Sequence, residues 1–249
     1  MIDTPPSLLA VVALAFLLAG FVKGMIGLGL PTVAMGLLGL VLAPAEAASL
    51  LIVPSLVTNV WQLAAGPRFG QLLDRLWPMM AAIGLGTWAG AGFLATSMSG
   101  DAVTALGVAL MVYAVVGLSP LRFRVPDHAE SWLSPLVGVA TGLVTAATGV
   151  FVIPAVPYLQ ALGLEKEDLV QALGLSFTIS TLALAAGLAH HGVFEGALAG
   201  ASLLALAPAL GGMVLGQWLR LRVRPEVFRR CFFLGLLVLG GHLALRSLL

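Results

Sequence analysis

The sequence predicts an all-α membrane protein: a polytopic helical bundle of two inverted-topology repeats, each of about five segments with a short half-helix as the second. Three observations lead to this prediction. Of the 249 residues, 60% are hydrophobic and 9% are charged, and the mean hydropathy is +1.07, whereas soluble domains carry about 25% charged residues. The apolar residues form two series of segments with similar lengths in the same order. Ten of the twelve Lys and Arg residues lie in four short gaps between these segments or within four residues of such a gap, which is typical of a chain that crosses a bilayer repeatedly.

Apolar runs bounded by proline, glycine or charged residues define the segments. The first series lies at residues 7–26, 31–43, 47–66, 76–97 and 102–118. The second series lies at residues 132–147, 150–163, 169–189, 195–219 and 227–245. A spanning helix needs about 20 residues. The second runs of the two series have only 13 and 14 residues. At about 1.5 Å per residue such a run covers about 20 Å of a roughly 30 Å hydrocarbon core, so we expect a half-helix in each case.

Residue matches between the two series indicate an internal duplication. A shift of 118 residues brings Gly20 and Gly24 onto Gly138 and Gly142. A shift of 121 residues brings Glu46 onto Glu167, Ser55 onto Ser176, and the string Leu63–Gly66 onto Leu184–Gly187. We therefore expect one integral membrane domain made of a first transmembrane repeat at residues 1–125 and a second at residues 126–249.

The distribution of basic residues predicts how the segments cross the membrane. If each half makes five passes, ten cations lie on one side, with Arg246 opposite and Lys23 inside the membrane. The ten are Arg68, Arg75, Arg122, Arg124, Lys166, Arg220, Arg222, Arg224, Arg229 and Arg230. If each short segment instead forms a single pass with its predecessor, five cations face six across the bilayer. The positive-inside rule favours five passes, which inverts the second half relative to the first and places both termini outside the cytoplasm.

Composition and motifs exclude several classes of function. Cys231 is the only cysteine, so the chain has no disulfide framework and no cysteine-based metal site. No HExxH, GxSxG or P-loop motif is present, so neither an intramembrane zinc protease nor an ATP-driven pump is indicated. We predict no enzyme activity, no cofactor, no metal and no nucleic-acid partner. The N-terminal residues carry no Lys or Arg before the first apolar run, so we expect the first segment not to be a cleaved signal peptide.

A glycine-dense stretch marks the junction between the first two segments. Gly27 and Gly29 precede Pro31 and Thr32, and proline is favoured in the first turn of a helix. A half-helix that begins inside the membrane points free N–H groups and the positive end of its dipole at the bilayer centre, which favours an anion. Thr145 and Thr148 occupy the corresponding junction of the second half. The alternative is that small residues only let helices pack closely.

Lys23 is the one basic residue inside the first nine hydrophobic runs. We predict that its ammonium group neutralises a bound anion beside the junction. The alternative is that its side chain extends to the membrane surface.

Polar side chains occupy the third segment of both halves. Asn59 and Gln62 lie three residues apart, on one face of a helix, and Ser176 and Ser180 lie in the equivalent stretch of the second half. Hydroxyl and amide groups donate hydrogen bonds to an oxyanion without the cost of burying more charges. The alternative is hydrogen bonding between helices. The predicted substrate-binding residues are therefore Lys23, Gly27, Gly29, Thr32, Asn59, Gln62, Thr145, Thr148, Ser176 and Ser180.

The stretch GFVKGMIGLGLPTVAMGLLGL, its counterpart GLVTAATGVFVIPAVPYLQALGL and the two-fold repeat resemble the TauE/SafE sulfite exporter family of bacterial membrane transporters. The resemblance covers nearly the whole chain. It implies movement of sulfite, sulfonates and related small sulfur-containing or organic anions across the cytoplasmic membrane, without a nucleotide-hydrolysing subunit. The family is commonly drawn with eight spans, whereas the charge pattern here favours ten segments of which two are short.

Together these observations predict a secondary transporter of small anions in the bacterial cytoplasmic membrane. The substrate would lie near the midplane between the two repeats, with access switched by their relative movement. Two other hypotheses are a passive anion channel and a non-transporting membrane assembly factor. Small-residue spacing such as Gly212 to Gly216 packs helices within a subunit or between subunits, so the sequence leaves homo-oligomer formation open.

Overall fold

The computed structural model describes residues 6–96, 99–120, 124–194, 196–220, 222 and 224–246. Within these residues the chain forms ten α-helices and no strand. The helices are α1 (Pro6–Ile26), α2 (Leu30–Leu38), α3 (Pro44–Ala64), α4 (Phe69–Thr96), α5 (Ser99–Leu118), α6 (Asp127–Thr148), α7 (Ala155–Ala161), α8 (Lys166–His190), α9 (Gly196–Arg220) and α10 (Pro225–Arg246). Arg122, one of the cations used above to predict the topology, lies outside the described residues.

Eight of the helices in the described part of the chain, all except α2 and α7, are long and apolar enough to cross a membrane. The prediction of an all-α, multi-pass membrane protein with ten segments, two of them short, is thus confirmed. Hydropathy located these segments well because lipid-facing and core-facing positions of such helices are both apolar.

The two short helices are shorter than predicted. Helix α2 has 9 residues and ends at Leu38, and α7 has only 7 residues. The prediction that the second short helix starts near Val150 is wrong, since α7 begins at Ala155. Gly149 adopts a left-handed conformation with φ 70° and ends α6. Pro154 then disfavours a helical conformation at the residue before it, so the helix starts only after the proline.

Helices α3 and α8 form the centre of the bundle. They are the most buried of the eight long helices, with 61% and 67% of their most apolar windows inside the protein. The order of their contacts shows that the two helices run in opposite directions, because Asn59 bonds Thr181 and Gly66 packs against Gln171. The third and the eighth helix therefore cross antiparallel.

Helices α5 and α10 also pack antiparallel. The backbone of Gly107, near the start of α5, lies against Ala244 near the end of α10. At the other end of the pair, Gly117 lies against the ring of Phe233. These two helices pair the fifth segment with the tenth.

The remaining long helices pack in two parallel pairs. In the pair α1–α9, Gly20 faces Ala209 and Gly24 faces Met213; a Cβ at Gly20 would lie 1.9 Å from the Ala209 carbonyl oxygen. Only glycine permits this backbone contact, which is how small residues bring membrane helices together.

Helix α9 also contributes glycines to the α1–α9 contact. Gly212 and Gly216 of α9 pack against the backbones of Leu17 and Phe21 in α1. These glycines therefore pack helices within the chain, which answers the question that the sequence left open for this pair.

Helices α4 and α6 form the second parallel pair. Gly138 faces Met79 and Gly142 faces Ile83, again with backbone atoms in contact. The pair α4–α6 thus repeats the geometry of the pair α9–α1, with helices taken from opposite halves of the chain.

Charged side chains join several helix termini at one end of the bundle. Arg75, near the start of α4, makes two hydrogen bonds of 2.7 Å with Glu130 at the start of α6. Arg68 lies 3.0 Å from Asp168 at the start of α8. The backbone N–H of Val125, before α6, donates to the carbonyl of Ala161 at the end of α7 (3.0 Å). Helix α7 therefore returns to the end from which α6 starts.

Candidate functional site

The first interruption of the helical chain lies between α1 and α2. Gly27 and Gly29 have φ values of 77° and 99°, a left-handed conformation that favours glycine. No heavy atom lies within 4 Å of where a side chain would begin at Gly27, so the space beside it is open. Pro31 lies in the first turn of α2, as predicted. Thr32 follows it with 0% exposure, and its hydroxyl has no hydrogen-bond partner in the structure.

The second interruption follows α6. Thr145 and Thr148 are buried, and their hydroxyls donate to carbonyl oxygens one turn earlier in their own helix, each at 2.7 Å. The Thr148 hydroxyl also accepts from the N–H of Val150 (3.1 Å) and so caps the break. Met35 of α2 packs against Gly149, where a side chain would begin 2.8 Å from its terminal methyl carbon. The first short helix thus lies against the second interruption.

Lys23 is buried at the centre of the bundle, with 5% exposure. Its ammonium group donates to the hydroxyl of Thr58 (3.1 Å) and to the side-chain carbonyl of Asn59. The amide of Asn59 in turn donates to the hydroxyl of Thr181 (3.4 Å). The chain of bonds connects α1, α3 and α8. A lysine that extends to the membrane surface would be exposed, so this arrangement does not fit the alternative stated above.

No carboxylate of the described residues forms an ion pair with Lys23; the ion pairs found there belong to Arg68 and Arg75. A buried ammonium group without an opposite charge is unfavourable, and it attracts an anion. The group also meets only neutral partners on α3, namely Thr58 and Asn59.

Unpaired hydroxyl groups flank this centre on both central helices. Ser55 lies one turn before Asn59 in α3, and Ser176 lies one turn before Ser180 in α8. All three serines have 0% exposure, and their hydroxyls have no hydrogen-bond partner in the structure. A buried hydroxyl without a partner costs about 1–3 kcal/mol. Such groups are suited to donate to the oxygen atoms of a ligand.

Gln62 lies one turn after Thr58 and Asn59, on the other side of the centre from Ser55. Its amide donates to the carbonyl of Val170 (3.0 Å), while its side-chain oxygen is buried without a partner. One half of this side chain therefore fixes the α3–α8 contact.

Only some of the predicted substrate-binding residues contact one another directly in the structure. Lys23 and Asn59 are in contact, whereas Thr145 and Thr148 bond to their own helix. The direct contacts made by Thr58 and Thr181 were not predicted, although both residues belong to the polar stretches recognised in the sequence. Hydroxyls are frequent in membrane helices, so the only signal for Ser55 was its match to Ser176 at a shift of 121 residues.

An interruption of the backbone hydrogen bonding inside α3 was also missed. Pro54 has no N–H, so the carbonyl of Leu50 loses its partner within the helix. The hydroxyl of Ser202 from α9 donates to that carbonyl (2.8 Å) and accepts from the N–H of Val53 (3.0 Å). A side chain from the second half of the chain thereby completes the backbone bonding of the helix that carries Ser55.

The polar centre is closed to solvent in this structure. Thr58, Asn59 and Thr181 have exposures of 1%, 0% and 2%. An anion would therefore reach Lys23 only after a conformational change.

Comparison with protein families gives a match over most of the chain. A family model described as "Sulfite exporter TauE/SafE" matches residues 12–243, nearly the full chain. No curated protein and no solved structure matches.

Proposed function

The chain belongs to the TauE/SafE sulfite exporter family, and we propose that it is a secondary transporter of small anions across the bacterial cytoplasmic membrane. The substrates would be sulfite, sulfonates or related organic acids. The observation that carries this proposal is the buried ammonium group of Lys23, which has neutral partners on α3 and no ion pair with a described carboxylate.

The electrostatics of the centre favour an anionic substrate. An ammonium group in a region of low dielectric constant attracts an anion and repels a cation strongly, because little solvent screens the charge. The hydroxyls of Ser55, Ser176 and Ser180 supply neutral donors, which add binding without further desolvated charge. We assign the substrate site to these residues together with Lys23, Asn59, Gln62 and Thr32. Gly27 and Gly29 would form its edge, as would Thr145 and Thr148.

The directions of the helices support two inverted repeats, divided near residue 125. Inverted repeats require corresponding helices to run in opposite directions, and the α3–α8 and α5–α10 pairs both do so. In the same repeats α1 corresponds to α6 and α9 corresponds to α4, so the parallel pair α1–α9 corresponds to the parallel pair α6–α4. If each short helix were only a continuation of its predecessor's pass, α3 and α8 would be parallel.

The proposed repeat relation supports a candidate site on the two-fold axis between the halves. A shift of 121 residues relates Asn59 to Ser180, and Asn59 bonds the next residue, Thr181. Where corresponding residues of two antiparallel helices lie side by side, the two-fold axis that relates the helices passes between those residues. A site on such an axis can be reached from either side by equivalent movements, which is the geometry of alternating access.

Transport by purified protein in liposomes tests this proposal. We expect saturable uptake of radiolabelled sulfite or a sulfonate, which Lys23→Ala abolishes. Lys166→Ala is the matched control, since Lys166 is the other lysine and is exposed. Failure of folded protein to bind or transport any small oxyanion would contradict the proposal. Flux that does not saturate would indicate an anion channel, and a folded protein active only in the assembly of another complex would indicate an assembly factor.

A further inference from the structure

The balance of charge around the candidate site limits the charge of its ligand. Among the described residues, the buried charged side chains are Lys23 and Asp168. Asp168 lies at the end of the bundle, in an ion pair with Arg68. Lys23 is therefore the one charged group at the centre of the described structure, and it contributes a single positive charge.

The described residues of the second half supply no second buried cation at the centre. The residue related to Lys23 by the 118-residue shift is Thr141. Thr141 is fully buried, and its hydroxyl donates to the carbonyl of Val137 within α6 (2.7 Å). The two halves thus share their hydroxyl groups, through Ser55 and Ser176, but only the first half carries the charge.

We infer that the site binds its substrate as a monoanion and discriminates against dianions. This inference rests on the function proposed above, and it adds the charge class of the substrate. A monoanion beside Lys23 leaves a buried pair with no net charge. A dianion leaves one negative charge uncompensated in a region of low dielectric constant, where neutral hydroxyls offset only part of the lost hydration.

The site therefore suits sulfonates, hydrogen sulfite and monocarboxylates, each of which carries one negative charge and acceptor oxygens. Sulfate and dicarboxylates have similar acceptor oxygens, but each carries two negative charges. Selection by charge in this way does not require a tight fit to the remainder of the molecule, so substrates with different small organic groups are accommodated.

Calorimetric titration of the purified full-length protein tests the inference with matched anions. Methyl sulfate is compared with sulfate, and propionate is compared with succinate, at neutral pH. We expect the monoanion of whichever pair binds to have a Kd at least about tenfold lower than its dianionic partner. Ethyl sulfate is the control for added carbon. The change from methyl to ethyl sulfate should alter Kd far less than the change from sulfate to methyl sulfate.

The outcomes separate this inference from the proposed function. A dianion that binds as tightly as its monoanionic partner overturns the inference and leaves anion transport standing. A difference in Kd that grows equally with each added carbon also overturns it, because apolar contact then explains the preference. Absence of binding for all five anions to folded protein overturns the inference, whereas the proposed function is contradicted only if sulfite and sulfonates also fail to bind and to be transported.

Discussion

Lys23 and Asn59 are hydrogen-bonded across the interface of α1 and α3, 36 positions apart in the chain. The side-chain carbonyl of Asn59 takes the place that a carboxylate would occupy in an ion pair. The ammonium charge therefore stays available to a ligand while one of its protons is fixed in direction. The neutrality of Asn59 is as important to an anion site as the charge of Lys23.

Replacement of Asn59 by aspartate should convert this hydrogen bond into an internal ion pair. We expect Asn59→Asp to abolish anion binding, because the new carboxylate compensates Lys23 and repels the substrate. The protein should remain folded, with a thermal midpoint at or above that of the wild type. Binding by calorimetry and unfolding by fluorescence check the two parts. Retained anion affinity in folded Asn59→Asp would show that Lys23 does not bind the substrate.

Loss of the Ser202 hydroxyl should destabilise α3 around Pro54. In Ser202→Ala the Leu50 carbonyl and the Val53 N–H both lose their bond to the Ser202 hydroxyl. We expect a loss of about 0.5–2 kcal/mol in the free energy of unfolding, the range for hydrogen bonds between membrane helices. Unfolding in mixed micelles measures it. The control is Ser131→Ala at an exposed position of α6, which should be neutral; equal effects of the two variants would contradict the assignment.

Neighbouring glycines of α9 provide a test of the α1–α9 contact. A Cβ at Gly212 would lie 2.0 Å from the carbonyl oxygen of Leu17, whereas a Cβ at Gly211 meets no atom within 4 Å. We expect Gly212→Ala to lower the free energy of unfolding by about 1–3 kcal/mol through overpacking. Gly211→Ala should be neutral or slightly stabilising, since alanine favours a helix over glycine. Thermal unfolding of the two variants side by side gives the comparison.

Labelling of cysteine variants in intact cells tests the proposed inversion. Arg246→Cys and Lys166→Cys, each in a Cys231→Ser background, place one thiol at the end of α10 or the start of α8. Both positions are exposed. An impermeant maleimide should label Arg246→Cys from outside the cytoplasmic membrane and Lys166→Cys only after that membrane is permeabilised. Labelling of both from the same side would contradict an odd number of passes in each half.

The sequence predicted the parts of this fold that depend on local composition. Long apolar runs gave the number and order of the helices, and Lys23 was conspicuous because a cation inside such a run is rare. The predicted start of α7 was wrong. The apolar run begins at Val150, but the backbone effects of Gly149 and Pro154 delay the helix to Ala155.

The contacts between helices were beyond the reach of sequence patterns. Nothing local to Ser202 indicates that it bonds α3, since its partners lie about 150 residues away, with separations of 149 and 152. The contacts of Lys23 with Thr58 and Asn59 likewise depend on the rotation of α1 about its own axis. Hydropathy does not determine that rotation, because lipid accepts most of the same side chains as the protein interior.

The two parallel helix pairs each join a helix of the first half to a helix of the second half, and this limits how the protein can move. Helix α1 is fastened to α9, and α6 to α4, by contacts in which glycine brings one backbone directly onto another. Such contacts do not slide, because the carbonyl of one helix occupies the space beside the glycine of its partner. In the proposed alternating access, each body that moves would therefore contain helices from both halves of the chain. The surface between these moving bodies would then differ from the boundary between the two proposed repeats.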